Sequence, residues 1–495
     1  MEFEFLTEIV SMVVSIIAGS IIGMLFGAIP GLGAMITVVL LLPFTYMLSP
    51  LSAVLLLLSA YQSCEYGGSI SSIIFGIPGT PAAVATAIDG HMLAKKESPG
   101  NAISYSLVAS TIGGIVGALM LMFLADPLAD FALKISAPEF FLIGILGLFA
   151  VATLASEDVV KSMIAATLGL LAGTVGMDIF TGTTRFTAGR LELMEGVSMI
   201  ALTVGIFGIS ELLSMVSESL NKTYVTDKKM LRSTLTLRDW KNVSKSMGIG
   251  SIIGSIVGIF PGTGAGTASW FAYSIGKKMS KSQETFGKGN PDGIVAPEAA
   301  NNSVVGGSLL PLLTLGIPGS PTIAIIMGAF IIHGIQPGPN VFNSDPALIN
   351  GILYGFLFTT IAMFLIGKLL TPLFSRVLTI PNSILVPIIM ILSIIGVYAN
   401  QSMFFDIWLA LGLGVAAFIL KKLDFSLPAF ILAFVLSPII EESLRRALIL
   451  SHGSYSIFFT RPISVIILLI ITALVIATIY RTVKPKTSNA QETQC

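Results

Sequence analysis

Four short stretches set proline beside glycine inside apolar runs: Gly27 to Ala34, Gly76 to Pro81, Gly258 to Ala265 and Gly316 to Pro321. In Gly76-Ile77-Pro78-Gly79-Thr80-Pro81 the residue before proline is pushed out of the α region, so a helix should stop before Pro78. Gly76 and Gly79 can take left-handed or strained angles at that stop. Thr80 is then a good N-cap, with Pro81 at the first helical position. Ser320-Pro321 repeats the device. Each hexapeptide reads as helix, break and new helix, and Pro30 and Pro261 mark similar breaks. A new helix start bares N–H groups and a positive dipole end, which together bind anions. The preceding helix end bares carbonyls, which suit Na⁺. One such motif is more simply a kink in a packed helix. Four matched motifs argue for a shared site.

The positions assigned to that site are Pro30, Gly31, Gly33, Gly76, Pro78, Gly79, Thr80, Pro261, Gly262, Thr263, Gly264, Thr267, Gly316, Pro318, Gly319 and Ser320. Ser69, Asn301 and Asn302 add a hydroxyl and two amides. None of the four motifs holds Lys or Arg. A bound polyanion would be neutralised by helix N-termini, hydroxyls, amides and co-transported cations. For any single hydroxyl, bonding within its own helix is the simpler role. Glu65, Asp89 and Glu298 border these runs, and proton coupling would need one of them, because intramembrane acids are costly and usually functional. The simpler expectation puts each at a water interface. Asp178, Arg185, Arg190, Glu192 and Glu195 read as a polar loop. Arg445, Arg446 and Arg461 read as anchors on the cytoplasmic rim or partners of Glu441 and Glu442. His91, His333 and His452 lack metal-ligand spacing, so no metal site is expected. HExxH, GxSxG, DDxxD and Walker A signatures are missing, which points away from an enzyme.

Motifs at this depth need elements to carry them. Of 495 residues, 54% are hydrophobic and 11% charged, with a mean hydropathy of +0.91. Soluble domains carry about 25% charged residues. Ile9 to Cys64, Ser98 to Ala125 and Ala299 to Ser344 contain no Asp, Glu, Lys or Arg. About 20 apolar helical residues cross a bilayer, which gives roughly ten to twelve crossings or re-entrant pieces. The class is therefore an all-α polytopic membrane protein. Zero net charge and no basic–aromatic cluster imply no nucleic-acid partner. Cys64 and Cys495 leave the redox compartment unreadable. The acidic start, Met1 to Glu8, lacks the basic region of a signal peptide, so the first apolar segment is expected to be retained.

The chain also repeats. The Gly27 and Gly258 motifs match, as do the Gly76 and Gly316 motifs, in the same order, with glycine pairs Gly67-Gly68 and Gly306-Gly307 ahead. Pro30 to Pro78 is 48 residues and Pro261 to Pro318 is 57. The second half thus holds an extra polar loop, Lys277 to Asp292. Between the halves lies Glu218 to Lys245, with seven Lys or Arg against three acids. Short basic loops stay cytoplasmic. The expected organisation is a first transmembrane repeat, 1–217, a basic cytoplasmic linker, 218–245, a second repeat, 246–480, and a polar tail, 481–495. An acidic N-terminus outside and a linker inside would make the repeats inverted, with broken helices meeting near the bilayer midplane. The tail, with Arg481, Lys484 and Lys486, is expected inside.

At these motifs the sequence resembles the large membrane (permease) subunit of the tripartite tricarboxylate transporter family. The resemblance rests on Gly27 to Ala34, Tyr66 to Lys95, Arg185 to Gly196, Gly258 to Gly266, Ala296 to Pro321 and Arg445 to Ser464. It implies a translocating subunit in the cell (inner) membrane, driven by Na⁺ or H⁺, that takes citrate, other tricarboxylates or dicarboxylates and has no other cofactor. It also implies two partners, a small four-span membrane subunit and an extracytoplasmic solute-binding protein. Tyr61 to Glu65 (YQSCE) departs from the family pattern, so Glu65 could alter coupling or substrate. A carrier for another small solute, or a membrane enzyme or scaffold, is the competing reading, and a scaffold needs no paired breaks. On this reading Gly79→Leu or Gly319→Leu abolishes uptake with insertion intact, while Glu65→Gln leaves Na⁺-driven uptake largely intact.

Overall fold

The computed structural model describes residues 2–29, 32–154, 158–217, 233–280, 282–377 and 382–483. Pro30, Gly31, most of the basic linker (218–232) and the tail from 484 lie outside the described residues. The first half folds as α1 (Glu2–Ala28), α2 (Gly33–Leu41), α3 (Pro50–Phe75), α4 (Ala83–Lys96), α5 (Pro99–Ala132), α6 (Ala137–Leu154), α7 (Val159–Gly173) and α8 (Met199–Ser217). The second half folds as α9 (Leu237–Ile259), α10 (Gly264–Met279), α11 (Asp292–Leu315), α12 (Pro321–Ile332), α13 (Pro346–Val377), α14 (Asn382–Gln401), α15 (Phe404–Lys422), α16 (Leu427–Leu450) and α17 (Pro462–Val483). A two-stranded ribbon, Gly176–Met177 with Thr184–Arg185, follows α7. Among the described residues six helices are long and apolar enough to cross a membrane, and six shorter apolar helices accompany them. The all-α polytopic membrane class follows directly.

The helices just before the hexapeptide breaks are the most enclosed. Every residue from Ser52 to Ile73 in α3 and from Gly293 to Thr314 in α11 is buried. Both carry polar side chains that lipid would penalise, so protein surrounds them. Glycines let neighbours close in. A Cβ on Gly19, Gly23 or Gly27 of α1 would lie 2.3, 2.3 and 2.1 Å from the carbonyls of Leu56, Ala60 and Cys64. One on Gly250, Gly254 or Gly258 of α9 would lie 2.2, 2.2 and 2.6 Å from those of Ala296, Ala300 and Val304. The same small-residue ladder therefore builds α1 on α3 and α9 on α11, in matching register.

The halves do not sit apart. α5 lies on α11, where a Cβ on Gly113 would meet the Ala299 carbonyl at 2.0 Å. Reciprocally, α13 lies on α3: Gln62 Nε2 donates to Thr360 Oγ1 at 2.8 Å, and Thr359 Oγ1 donates to Gln62 Oε1 at 2.9 Å. α7 packs on α16, with Gly169 against the Phe430 carbonyl, and α15 packs on α8, with Gly205 against that of Ala410. Each half thus clasps the other. α3 and α11 pass antiparallel, since Ser69 meets Glu298 and the Glu65 carbonyl meets Asn301.

The polar loop after α7 is pinned by ions. Arg445 holds Asp178 at 2.9 Å and Glu441 at 2.7 Å, and Arg185 also reaches Glu441 at 2.7 Å. Arg446 pairs with Glu442 as expected, whereas Arg461 takes Glu139 at 2.6 Å instead. α8 joins this loop to the basic linker, so the Arg445 cluster sits at the end of α8 opposite the linker.

The backbone N–H of Phe180 first, then Arg445 and the N–H of Thr181, outweigh burial and hold the Asp178 carboxyl down at about 2. A carboxyl lowered on folding stabilises above its unfolded value of about 4, and that contribution is lost as pH falls through the folded value. The melting temperature of the wild type in detergent should therefore exceed that of Asp178→Asn at pH 7. The gap should close between pH of about 4 and about 2; a gap independent of pH contradicts the assignment.

Candidate functional site

The two hexapeptide breaks share one backbone design. α3 ends on Gly76 (φ 71°, ψ 16°) and α11 on Gly316 (φ 71°, ψ 15°), both left-handed, a conformation glycine takes without steric cost. The chain then folds back on its own helix. Gly79 N–H donates to the Gly68 carbonyl and Gly319 N–H to that of Ser308, each at 3.2 Å. Ser320 accepts from Ile323 N–H at 3.2 Å and caps α12. Thr80 Oγ1 accepts from Ala83 N–H at 3.3 Å, but α4 starts only at Ala83 with Ala82 at its N-cap, so Thr80 and Pro81 form a turn ahead of the helix and not the expected cap and first helical position. Gly79 and Gly319 serve a different purpose from the expected one, because neither has positive φ. A Cβ on them would lie 2.1 Å from the Gly27 carbonyl and 2.5 Å from the Gly258 carbonyl. Each break is thus wedged against the helix that leads into its partner motif. Gly262 N–H closes the second pair on the Gly319 carbonyl at 3.0 Å. Gly33 (φ 55°) and Gly264 (φ 64°) open α2 and α10 with free space where a Cβ would stand.

All four motif regions border one cavity of about 640 Å³. Gly33 comes from the first, Pro78, Gly79 and Thr80 from the second, Gly262, Thr263, Gly264 and Thr267 from the third, and Ser320 from the fourth, while Glu65 and Tyr61 of α3 face it as well. Helix starts at Gly33, Ala83, Gly264 and Pro321 therefore surround one space, which can hold an anion. Other expected positions lie elsewhere. Gly76 abuts His91. Gly316 borders a second cavity, of about 580 Å³, with Pro337 and Arg446. Pro261, Pro318, Gly319, Ser69, Asn301 and Asn302 do not line the 640 Å³ cavity. Pro30 and Gly31 lie outside the described residues.

The three acids are not at a water interface, contrary to the simpler expectation; all are enclosed by protein. Asp89 of α4 is an anchor. Its Oδ1 accepts the backbone N–H groups of Gly287, Gly289 and Asn290 at 2.9, 2.9 and 2.8 Å, and its Oδ2 accepts Tyr273 Oη–H at 2.9 Å. That fixes the extra loop of the second half. Glu298 of α11 accepts four hydroxyls: Ser69 and Thr86 at 2.5 Å on Oε1, Ser106 and Ser110 at 2.9 Å on Oε2. Ser69 is thereby committed to Glu298. Four donors fill the lone pairs of a carboxylate and bind α3, α4 and α5 to α11. Glu65, one turn from Ser69, keeps Oε2 without a hydrogen-bond partner among the described residues. Asn301 donates to the Glu65 carbonyl at 3.4 Å. Ser71, Ser72 and Ser303 bond back to their own helices.

A family model described as the Tripartite tricarboxylate transporter TctA family matches residues 13–432. The chain belongs to this family. It is a component of a tripartite transporter and not an enzyme. It is 38% identical over 462 residues, 93% of this chain and 92% of the relative, to an "uncharacterized 52.8 kDa protein in TAR-I ttuC' 3'region" of Agrobacterium vitis. It is 40% identical over 197 residues, 40% of this chain and 81% of the relative, to an "uncharacterized protein in TAR-II ttuC' 3'region" of the same organism. No solved structure matches.

The TctA-family cavity has members that motif reading missed. Phe207, Ser210 and Glu211 enter from α8, and Lys421, Phe425 and Pro428 from the α15–α16 corner. The signals were a charge at the end of an apolar helix and the close glycines Gly205 and Gly208, which carry a π turn, Val204–Ile209. With Gly79 serving packing, Gly79→Ala should remove folded, membrane-inserted protein, not uptake alone. Monodisperse yield in detergent measures this, and a well-folded Gly79→Ala would refute it. Asp89→Asn should lower the melting temperature while the cation dependence of residual uptake stays that of wild type.

Proposed function

We propose that the chain is the translocating subunit of a secondary transporter that takes up citrate or related tricarboxylates, coupled to Na⁺ or H⁺. The observation that carries this is the convergence of the four breaks on one 640 Å³ cavity, whose helix starts give partial positive charge without a burden of fixed cations. Gly33, Thr80, Thr263, Gly264, Thr267 and Ser320 hold the passenger. Glu65, with one oxygen unpartnered beside the cavity, is the position for the coupling ion; Asp89 is occupied with its loop and Glu298 with its four hydroxyls. The antiparallel pass of α3 and α11 and the matched glycine ladders support inverted repeats. With the basic linker in the cytoplasm, the N-terminus faces outside and the C-terminus inside, in the cell (inner) membrane. The working assembly adds a small four-span subunit and an extracytoplasmic solute-binding protein.

Proteoliposomes holding the complete assembly should accumulate radiolabelled citrate under an inward Na⁺ or proton gradient. Thr267→Leu, which adds bulk beside the α10 start, should cut the rate about tenfold or more, given a cost of about 1–3 kcal/mol for overfilling a packed site. If no tricarboxylate or dicarboxylate enters under either gradient, the reading is wrong.

A further inference from the structure

Among the described residues, Lys421 is the one cationic side chain that lines the cavity. It stands in the last turn of α15, and its ammonium pairs with Glu211 of α8. Ser214 Oγ lies 3.4 Å from the same Nζ. The Lys421 side chain is 43% exposed and that of Glu211 21%, so the pair is open to a solute and can part without stranding a charge in a dry interior. Lys422 next door is turned away, over the Phe418 ring at 4.4 Å. The acids bordering the cavity are Glu65 and Glu211. Of these, Glu211 is the one in contact with Lys421.

The backbone explains why Glu211 reaches this place. The π turn at Val204–Ile209 ends just before Ser210 and Glu211, and Phe207, Ser210 and Glu211 all face the cavity. A π turn inserts a residue into the helical register and recurs at functional sites. It is seated on α15 by Gly205, where a Cβ would lie 2.6 Å from the Ala410 carbonyl, and by Gly414, where one would meet Ile209 at 2.5 Å. α8 and α15 are therefore locked in the register that brings Glu211 onto Lys421.

We propose that Lys421 anchors a carboxylate of the passenger and that Glu211 is the competitor it displaces. In the resting pair one carboxylate holds the ammonium; on binding, the passenger's carboxylate takes that place and Glu211 turns to water. The cavity gains a full positive charge for the passenger only by this exchange. A neutral solute cannot drive it, so the pair selects for anions and keeps their binding reversible. The inference rests on the carboxylate-transport reading and deepens it.

The test compares Lys421→Gln and Glu211→Gln in the complete reconstituted assembly, with citrate as the probe. Loss of a charge-assisted bond should raise the half-saturating citrate concentration of Lys421→Gln about tenfold or more, with Lys421→Arg retaining most of the affinity. Glu211→Gln removes the competitor, so its half-saturating concentration should fall. A purely structural ion pair would make both substitutions weaken uptake together, and that result overturns the proposal. So does an unchanged value in either variant. Should Lys421→Gln fail to fold, Glu211→Gln decides alone: tighter binding supports the exchange, and weaker or equal binding refutes it. A wild type that takes up no carboxylate defeats the transport reading itself, whereas normal uptake with variants moving in the same direction defeats the exchange only.

Discussion

Backbone polar groups at membrane depth must find partners inside the protein, and the architecture follows from how this chain satisfies them where its helices break. Gly79 and Gly319 return their N–H groups to the helices they have just left, and Gly262 gives its own to Gly319. These bonds need backbones closer together than any side chain allows. Hence the glycines at 27 and 258, whose carbonyls sit where Cβ atoms of Gly79 and Gly319 would stand. The break that looks like a binding loop is, on one side, a packing joint. Its other side, at Thr80, Ser320, Gly33 and Gly264, opens on the cavity, which Pro78, Gly79 and Gly262 also border.

The same economy governs the acids. Asp89 spends its lone pairs on three backbone N–H groups and a tyrosine hydroxyl. Glu298 spends its own on four hydroxyls from three helices. Hydroxyl donors solvate a carboxylate without bringing in a second charge, which a buried cation would do at a desolvation cost of several kcal/mol. The Ser and Thr residues scattered through α3, α4 and α5 thus form part of the frame between the halves. Since α5 clasps α11 and α13 clasps α3, this frame crosses the repeat boundary at its centre.

The membrane class, the helix breaks and the repeat were legible because each depends on local chemistry: apolar runs, the steric demand of proline, and the hydroxyl cap at Ser320. The organisation into 1–217 and 246–480 was legible as a repeated sequence but not as an interleaved structure. Interleaving depends on which helix meets which, and no local rule fixes that. The expectation of a left-handed backbone at Gly79 failed for a related reason. Glycine is required both for unusual dihedrals and for close approach, and only the neighbouring carbonyl of Gly27 tells them apart. Asp89 and Glu298 were visible as acids near apolar runs, but their partners come from up to 229 residues away. Lys421 and Glu211 were missed because they lie outside the four motifs, 210 residues apart.

A site that must release its passenger cannot bind it as an ion-pairing enzyme would. Several fixed cations in a low-dielectric space would hold a tricarboxylate firmly, and between turnovers they would repel one another at a cost to folding. Helix starts avoid both problems. Each offers roughly half a charge, its dipole is already paid for by the helix that carries it, and no counter-ion is needed in the passenger's absence. The arrangement around this cavity, four helix starts with one lysine already matched by a glutamate, leaves only partial charges unpaired. That balance is what lets so polar a chamber exist among helices whose other faces are apolar.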